Sequence, residues 1–375
     1  MFPGAFSVSG LFFILIMYYD GYPELVVWEW EGQPVNLGDN IEYVRLGASG
    51  LKVSRLCLGT MMFGGPTEAD DCNWIMSSAR DVGVNFVDTA DIYQNGRSEE
   101  VLADLIAADR DSWVLASKTG SPMGKGPNQG GLGRKWMIEG VEGSLRRLHT
   151  DTIDLLYLHR DDEAVPVEEV VLTLAGLIQS GKIRYWGMSN FKAWRIADYV
   201  ATAQRLGVPG PVAVQPLYNI LNRQAEVETL PASLYHGLGV VPYSPLARGV
   251  LSGKYEPGGT PPADSRAGRQ DRRILQTEYR PESLVLAQQL SEHAVARGMT
   301  PAQFAFNWVL NNRLVASAIA GPRTFDQWTE YLGALAHVLA PEDEAIVDGL
   351  VPPGHASTPG YTDPAYPVRG RLARG

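Results

Sequence analysis

The sequence predicts an α/β protein, and within that class a (β/α)8 barrel with an N-terminal β-hairpin, a long loop after the seventh strand and a C-terminal tail. The first observation is an alternation of short runs rich in β-branched residues with segments that carry apolar residues at helical spacing. The second is the number of those runs, since eight strands alternating with helices over about 300 residues form a closed barrel. A doubly wound sheet is the alternative, and it is disfavoured because no strand–G-x-G-x-x-G–helix unit occurs.

Eight apolar runs predict the barrel strands, in the order "CLGTM", "NFVDTA", "WVLASK", "IDLLYLH", "IRYWGMS", "VAVQPLY", "GVVPYSP" and "VASAIAG". Helical patterns lie between them, such as "EEVLADLIAA", "KWMIEGVEGSLRRL", "VEEVVLTLAGLIQSG" and "FKAWRIADYVATAQRLG". Another helix, "TPAQFAFNWVLNN", is predicted between the seventh and eighth strands. Thr300 is its expected N-cap and Pro301 its first helical residue.

Three segments fall outside this alternation. "YVRLGASGLKVSRLCLGT" begins as a hairpin around the glycine-rich turn "GASG". Residues 246–280 are rich in Pro, Gly and Arg, and loops of such length are usually functional lids or disordered. The turn-rich tail after Val351 is expected to wrap the barrel or to trail from it. We therefore divide the chain into an extension (1–41), the barrel (42–350) and a tail (351–375).

The N-terminal extension reads unlike the rest of the chain. Its apolar run "LFFILIMYY" has nine residues, well short of the roughly 20 that span a bilayer as a helix. A secretory signal would begin with positive charge, yet the first basic residue of the chain is Arg45. We expect a mis-called gene start, with Met17 as an internal candidate, or a poorly ordered extension. A membrane anchor or docking segment is the alternative.

Composition excludes several classes of function. The formal net charge is −10 and no basic cluster stands out, which argues against nucleic acid and anionic membranes as partners. The two cysteines, Cys57 and Cys72, do not predict a disulfide, because Cys57 lies in a strand that reads as buried; a cytoplasmic location is expected. The six histidines form no metal-ligand spacing with Cys, Asp or Glu, so no metal site is predicted.

Candidate catalytic residues lie at the ends of three successive predicted strands. Asp88 and Tyr93 follow the second strand, Lys118 ends the third and His159 ends the fourth. In a barrel the carboxyl ends of the strands meet at one mouth, so these side chains should converge. Lys118 follows the apolar run "WVLAS" and needs an anion, which Asp88 on the neighbouring strand would supply.

This group has the chemistry of a proton donor. A buried ammonium stabilises a phenolate, so Lys118 should lower the pKa of Tyr93 toward working pH. Tyr93 would then serve as a general acid, and His159 would donate a hydrogen bond to a substrate carbonyl oxygen. Taken singly, Asp88 would be interpreted as a helix cap or a member of a structural ion pair. Tyr93 would be interpreted as an aromatic residue of a loop, and His159 as a histidine of the core. Their joint placement favours catalysis.

The motifs around these residues resemble those of the aldo-keto reductase family. "DTADIY" is similar to the segment with the catalytic Asp88 and Tyr93, and "ASKTG" and "DLLYLHR" are similar to those with Lys118 and His159. The resemblance runs from residue 43 to residue 350. It implies a (β/α)8 TIM barrel that reduces aldehydes and ketones with NAD(P)H and without metal. It also implies that Tyr93 is the acid, that Lys118 and Asp88 tune it, and that His159 orients the substrate.

Later motifs resemble the cofactor-binding segments of that family. "GMSNF" and "VQPLYN" imply a nicotinamide carboxamide site, and "YSPLARGVLSGKY" implies an aromatic residue stacked on the ring and a loop over the pyrophosphate. The positions assigned to nicotinamide and pyrophosphate are Thr60, Met61, Asp88, Ser189, Asn190, Gln215, Tyr243, Ser244, Leu246, Gly249 and Lys254.

The segment "AIAGPRTFDQWTEY" predicts an anion site, because an arginine stands where a helix begins. Gly321 permits a tight turn there. The resemblance implies that Arg323, Thr324 and Gln327 hold the adenosine 2′-phosphate and that Glu330 meets the adenine, so NADPH is expected to be preferred over NADH. Tyr331 departs from the Asn usual in the family.

Two functions are compatible with these motifs. One is an NADPH-dependent reductase of a small-molecule aldehyde or ketone; the other is a redox-reading auxiliary subunit, as some relatives serve ion channels. The apolar "MMFGG" suggests an aromatic or aliphatic carbonyl compound. The substrate, the physiological direction and the oligomeric state do not follow from the sequence.

Overall fold

The computed structural model describes residues 41–368, together with the backbone of three short strands nearer the N-terminus. These three strands pair antiparallel as one sheet: β1 (Leu15–Tyr19), β2 (Tyr22–Trp28) and β3 (Pro34–Asn36). The expectation of a poorly ordered or mis-called extension falls largely on residues outside the described part. The division into extension, barrel and tail stays a prediction.

Eight parallel strands form the central sheet, as predicted. They are β6 (Leu56–Gly59), β7 (Phe86–Asp88), β8 (Val114–Thr119), β9 (Ile153–Leu158), β10 (Ile183–Ser189), β11 (Ala213–Gln215), β12 (Gly239–Val240) and β13 (Ala318–Ala320). From β6 to β12 each strand pairs with the next one in sequence, and β13 pairs with β6. A bridge between Val240 and Val315 and a hydrogen bond from Ile319 N to Pro242 O (3.0 Å) join the two ends of the sheet. The fold is a (β/α)8 barrel.

Strand periodicity divides the core into two parts, because alternate side chains point to opposite faces. Cys57 and Phe86 point into the barrel and pack with Leu155, Tyr157 and others in one buried cluster. Their sequence neighbours, such as Leu56 and Val87, belong to the second cluster, between the strands and the surrounding helices.

The hairpin consists of β4 (Tyr43–Arg45) and β5 (Lys52–Ser54), paired antiparallel as expected. Its turn contacts the amino-terminal end of the barrel, where Ala48 N donates to Gly237 O at 2.7 Å. Gly47 has a φ of 58°, and a Cβ there would lie 2.5 Å from Gly237 O, so only glycine fits. The hairpin therefore covers the end of the barrel opposite the strand carboxyl ends.

Eleven α-helices lie among the described residues: α1 (Ala69–Asp81), α2 (Arg97–Ile106), α3 (Arg134–Arg147), α4 (Val167–Gln179), α5 (Ala193–Leu206), α6 (Thr229–Tyr235), α7 (Arg272–Gln276), α8 (Pro281–Ala296), α9 (Pro301–Asn311), α10 (Phe325–Ala334) and α11 (Pro341–Leu350). Thr300 caps α9 with the predicted geometry: it accepts from Gln303 N, and the Gln303 side chain accepts from Thr300 N. Within residues 41–368, none of the helices is long and apolar enough to cross a membrane.

The long loop and the tail are both packed onto the barrel. Residues 246–280 contain a 3-10 segment, Ala247–Ser252, and helix α7. The described part of the tail, residues 351–368, packs on the rest of the protein: Ser357 N donates to Leu221 O at 2.9 Å, and Asp363 accepts two bonds from Arg273. Loop and tail thus meet over the mouth of the barrel.

Candidate active site

The structure brings Asp88 and Lys118 together at the carboxyl ends of adjacent strands. Asp88 ends β7 and pairs in register with Ala116 of β8, two residues before Lys118. Residues two apart share a strand face, so Lys118 and Asp88 point to the same side. Both residues are almost fully buried, at 1% and 2% exposure.

Lys118 is the centre of a buried polar cluster. Its ammonium forms an ion pair with Asp88 Oδ1 and donates to Thr89 O at 2.9 Å and to the Tyr93 hydroxyl oxygen at 3.1 Å. The other Asp88 oxygen accepts from Gln215 Nε2 at 2.9 Å. Burial opposes the ammonium charge, but Asp88 and Tyr93 outweigh it and raise the pKa of Lys118. Lys118 is therefore a permanent cation beside the Tyr93 phenol.

Tyr93 is held by an unusual loop. It begins a 3-10 segment, Tyr93–Gly96, in which Gln94 and Asn95 have φ values of 49° and 56°. This left-handed conformation is uncommon outside glycine, so other contacts must fix it. Gln94 Nε2 donates to Met61 O at 3.0 Å and ties the loop to the segment after β6.

The prediction that Lys118 lowers the pKa of Tyr93 is wrong for the net shift. Burial raises the pKa of the phenol, and this effect is larger than the opposing influence of Lys118. Asp88 also raises it, which sequence reasoning did not weigh against Lys118. Tyr93 therefore stays protonated at neutral pH, as a proton donor must.

His159 stands beside Tyr93 as a neutral imidazole. Burial, with the nearby charges of Lys118 and Arg160, lowers its pKa to about 3. Its ring meets the Tyr93 ring edge-on at 5.9 Å between centroids, and its buried Nδ1 has no hydrogen-bond partner among residues 41–368. A neutral imidazole keeps one N–H, so His159 can donate a hydrogen bond.

Amide and hydroxyl groups follow the fifth to seventh strands. Asn190 Nδ2 donates to Ser189 Oγ at 3.0 Å and to His159 O at 2.9 Å, and Asn190 Oδ1 accepts from the Tyr243 hydroxyl at 2.8 Å. Gln215 instead uses its side-chain nitrogen on Asp88. Together with the bond from Ser189 Oγ to Gln215 O at 2.9 Å, these bonds fix the side chains in place and use most of their donor hydrogens within the protein.

A second polar region lies where α10 begins, after the eighth strand. Thr324 caps the helix by accepting from Gln327 N, and Arg323 Nη2 donates to Asp264 of the long loop at 3.0 Å. The first helical N–H, that of Phe325, is bound by Asp71 at 2.7 Å. Because Asp71 already binds the Phe325 N–H, an anion at this end of α10 would bind the Arg323 side chain instead.

The Glu330 side chain is also bound by another residue of the protein. Its carboxylate accepts from Thr300 Oγ1 at 2.5 Å. Tyr331, which replaces the Asn usual in the family, is buried against Phe306 with 4.9 Å between ring centroids. Both residues still line the same cavity as Tyr93.

Most of the predicted site residues line a single cavity of about 710 Å³. Its walls include three of the four catalytic candidates and most of the cofactor candidates: Met61, Asp88, Tyr93, His159, Ser189, Asn190, Gln215, Tyr243, Ser244, Leu246, Gly249, Lys254, Gly321, Arg323, Gln327 and Glu330. Lys118 lies behind Tyr93 and contacts it directly. Thr60 and Thr324 do not line the cavity: Thr60 is fully buried and bonded to Asp88 O and Ser98, and Thr324 serves as the cap.

Sequence reasoning missed several residues of the cavity wall. The long loop contributes four arginines and the tail contributes a tyrosine: Arg248, Arg266, Arg269, Arg273 and Tyr366. The arginine-rich composition of residues 246–280 was a usable signal. Nothing in the tail marks Tyr366, because no periodic pattern tells which of its residues turns inward.

Comparison with known proteins identifies the class. The profile described as "Aldo/keto reductase family" matches residues 55–352. The chain belongs to this family, whose members are oxidoreductases that generally use NAD(P)H.

Two plant proteins are among the similar relatives. Both are named "Probable voltage-gated potassium channel subunit beta". The protein of Oryza sativa subsp. japonica is 37% identical, covering 83% of this chain and 97% of the relative. That of Arabidopsis thaliana is 38% identical, covering 79% and 91%. The "Uncharacterized oxidoreductase YrpG" of Bacillus subtilis is 36% identical, covering 85% and 98%.

Proposed function

We propose that the protein reduces an aldehyde or ketone to the alcohol with NADPH, and that Tyr93 is the general acid. The observation that carries this proposal is the direction of one hydrogen bond. Lys118 Nζ donates to the Tyr93 oxygen at 3.1 Å, so the phenolic hydrogen is left for another acceptor. In the cavity wall, that acceptor would be a substrate oxygen.

The residues divide the chemistry as follows. NADPH, when bound, supplies the hydride that adds to the carbonyl carbon. Tyr93 gives its proton to the carbonyl oxygen, and the phenolate that forms is stabilised by the Lys118 ammonium. Asp88 keeps Lys118 charged and fixed. The neutral His159 donates a hydrogen bond that orients the carbonyl group.

The residues present fit a nicotinamide dinucleotide. The Ser189, Asn190 and Tyr243 side chains carry hydroxyl and amide groups that a carboxamide can engage by replacing bonds they make within the protein, and they lie in the same cavity as Tyr93. Arg323 lies elsewhere in that wall, and its planar charged group suits a 2′-phosphate. This supports NADPH over NADH. The two free cysteines support the further proposal of a cytoplasmic location.

Turnover on a panel of small aldehydes and ketones tests the activity. The purified protein should consume NADPH, followed by its absorbance, only when a carbonyl compound is present, and the matching alcohol should form in equal amount. An absence of turnover across the panel, with NADPH bound, would contradict the reductase proposal.

A second candidate function is supported by the plant relatives. Because the chain is 37–38% identical to proteins named as potassium channel subunits beta, it could act as an auxiliary subunit with slow chemistry. The two functions differ in cofactor release. A reductase should release NADP⁺ at least as fast as it turns over, whereas a regulatory subunit should hold it through many minutes of dilution. Stopped-flow measurement of NADP⁺ release separates them.

A further inference from the structure

The residues that follow Tyr93 form a strained stretch of backbone. Gln94, Asn95 and Gly96 have φ values of 49°, 56° and 94°, so three successive residues are left-handed. Glycine adopts this conformation freely, but Gln and Asn persist in it only where other contacts hold them. The contacts that hold these residues therefore also decide where the Tyr93 ring lies.

The loop around Tyr93 is tied to the barrel at both ends. Before Tyr93, Asp91 N donates to Lys118 O at 3.1 Å. After it, Ser98 is fully buried, and its hydroxyl donates to Thr60 O at 2.7 Å. These bonds fix the two ends of the loop, but they do not reach the left-handed residues between them.

Gln94 joins the middle of this loop to another element. Its Nε2 donates to Met61 O at 3.0 Å, whereas the neighbouring Asn95 side chain makes no hydrogen bond within residues 41–368. Met61 is held in place, because Phe63 is fully buried and its N–H donates to Thr60 O at 2.9 Å. The Gln94 bond therefore connects the strained backbone to a fixed point after β6.

The two glycines of "MMFGG" make room for this contact. A Cβ on Gly64 would lie 2.8 Å from the backbone oxygen of Arg97, and a Cβ on Gly65 would overlap the side-chain amide of Gln94. Gly64 has a φ of 73°, which by itself favours glycine, but Gly65 is outside the left-handed region. The glycine at position 65 is therefore explained by the Gln94 side chain that packs on it.

We propose that Gln94 is a positioning residue for the proton transfer: by binding Met61 O, it holds the left-handed loop so that the Tyr93 hydroxyl faces the cavity beside Lys118. This inference rests on the proposed reductase function and adds to it a residue that acts through Tyr93. Tyr93 and Met61 are in the wall of the cavity of about 710 Å³, and Gln94 is not. Gln94 thus holds the acid and does not touch the substrate.

Loss of the Gln94 bond should slow turnover without weakening binding. The Tyr93 oxygen lies 3.1 Å from Lys118 Nζ, near the long end of the usual range for an N–H···O bond, so a small shift of the loop breaks this contact. Misplacement of a reacting group by about 1 Å can cost on the order of 10²-fold in rate. The groups proposed for the carboxamide and the 2′-phosphate lie on other elements, so they should be unaffected.

Two single variants test the contact from its two sides. Gln94→Ala removes the donor, and Gly65→Ala pushes the Gln94 amide off Met61 O. With the aldehyde that the parent reduces fastest, and where chemistry is rate-limiting, each should lower kcat about 5- to 50-fold. KM for the aldehyde and the affinity for NADPH, from fluorescence titration, should change less than about twofold. The solvent isotope effect on kcat should rise, because proton transfer becomes slower.

Combination with Tyr93→Phe separates positioning from general damage. Both Gln94→Ala and Tyr93→Phe act on one proton transfer, so adding the first to the second should lower the residual kcat less than about twofold. Gly65→Ala should likewise add little to Gln94→Ala, because the side chain that it displaces is already gone.

Two further variants serve as controls. Gln94→Glu keeps the shape of the side chain but has no N–H at neutral pH, so it should lose at least as much kcat as Gln94→Ala. Asn95→Gly changes the next left-handed residue, whose side chain makes no hydrogen bond within the described chain, and should keep the parental kcat. Gln94 is exposed, so urea unfolding midpoints of its variants should stay close to that of the parent.

Three outcomes would overturn the proposal. The first is a parental kcat in Gln94→Ala, and the second is a loss that appears in KM or NADPH affinity and not in kcat. The third is an undiminished further loss of kcat when Gln94→Ala is added to Tyr93→Phe. In all three the reductase function stands. Failure of the parent to reduce any aldehyde with NADPH bound would instead refute the function itself.

Discussion

The buried Asp88–Lys118 pair links stability to chemistry at the level of single residues. Neither charge is exposed beyond a few per cent, and each has the other as its ionic partner. A charge left alone in such a place costs far more than the pair gains, because no water is there to replace the partner. The same contact that lets the barrel tolerate the two charges also holds the ammonium against the Tyr93 oxygen.

Lys118→Met should therefore lower the free energy of unfolding by about 3–5 kcal/mol, since it leaves the Asp88 carboxylate buried and unpaired. The double variant Asp88→Asn/Lys118→Met should recover most of that loss. Urea unfolding followed by tryptophan fluorescence measures both. A single variant as stable as the parent would show that Asp88 finds another partner.

Asp91, in the same motif, should make stability depend on pH. Burial raises its pKa to about 7, with the Glu99 charge adding to the rise and Thr119 and Arg147 opposing it. Its pKa in the unfolded chain is near 3.9. The stabilisation from the bound proton is complete below about pH 4 and is lost as pH rises through about 7. Between these values stability should fall by about 1.4 kcal/mol per pH unit.

Asp91→Asn should flatten this slope, because an amide does not titrate. Denaturant unfolding of the parent and the variant at several pH values between about 4 and 8 compares them directly. Parallel profiles for the two proteins would mean that Asp91 is not the group that titrates.

At the scale of elements, regular segments were predictable and irregular ones were not. The strand "WVLASK" and the capped helix Pro301–Asn311 follow from apolar spacing and local hydrogen bonding. Both depend only on residues that are close together in the sequence. The Arg248–Glu278 pair joins residues 30 apart in a loop without periodicity, so no local pattern reveals it. The raised pKa of Tyr93 likewise depends on how deeply the folded loop buries the phenol.

The element that begins at Arg323 should decide the choice between cofactors. Arg323→Ala removes a charged donor from the proposed 2′-phosphate site, so the affinity for NADPH should fall about 10- to 100-fold, with NADH affected little. Asp264 is largely exposed and holds Arg323 only weakly, so it should yield to a phosphate. Fluorescence titration with both cofactors measures the ratio. An unchanged ratio would move the 2′-phosphate elsewhere.

For the whole molecule, the hairpin and all eight barrel strands lie within residues 42–368. The hairpin begins at Tyr43, and Glu42 contributes its backbone oxygen to Arg55 N at 3.0 Å. A shortened chain that starts at Glu42 should therefore express in soluble form and bind NADPH with parental affinity. Insolubility of this chain, or a clear loss of its thermal stability, would show that the extension supports the fold.

The central claim, that Tyr93 donates the proton, is tested most directly by Tyr93→Phe. The change removes one hydroxyl and keeps the ring, so NADPH binding and stability should stay near parental. The turnover number for carbonyl reduction, measured where chemistry is rate-limiting, should fall about 10²- to 10⁴-fold. A variant that retains more than about a tenth of the parental turnover number, with NADPH bound normally, would contradict the assignment of Tyr93 as the acid.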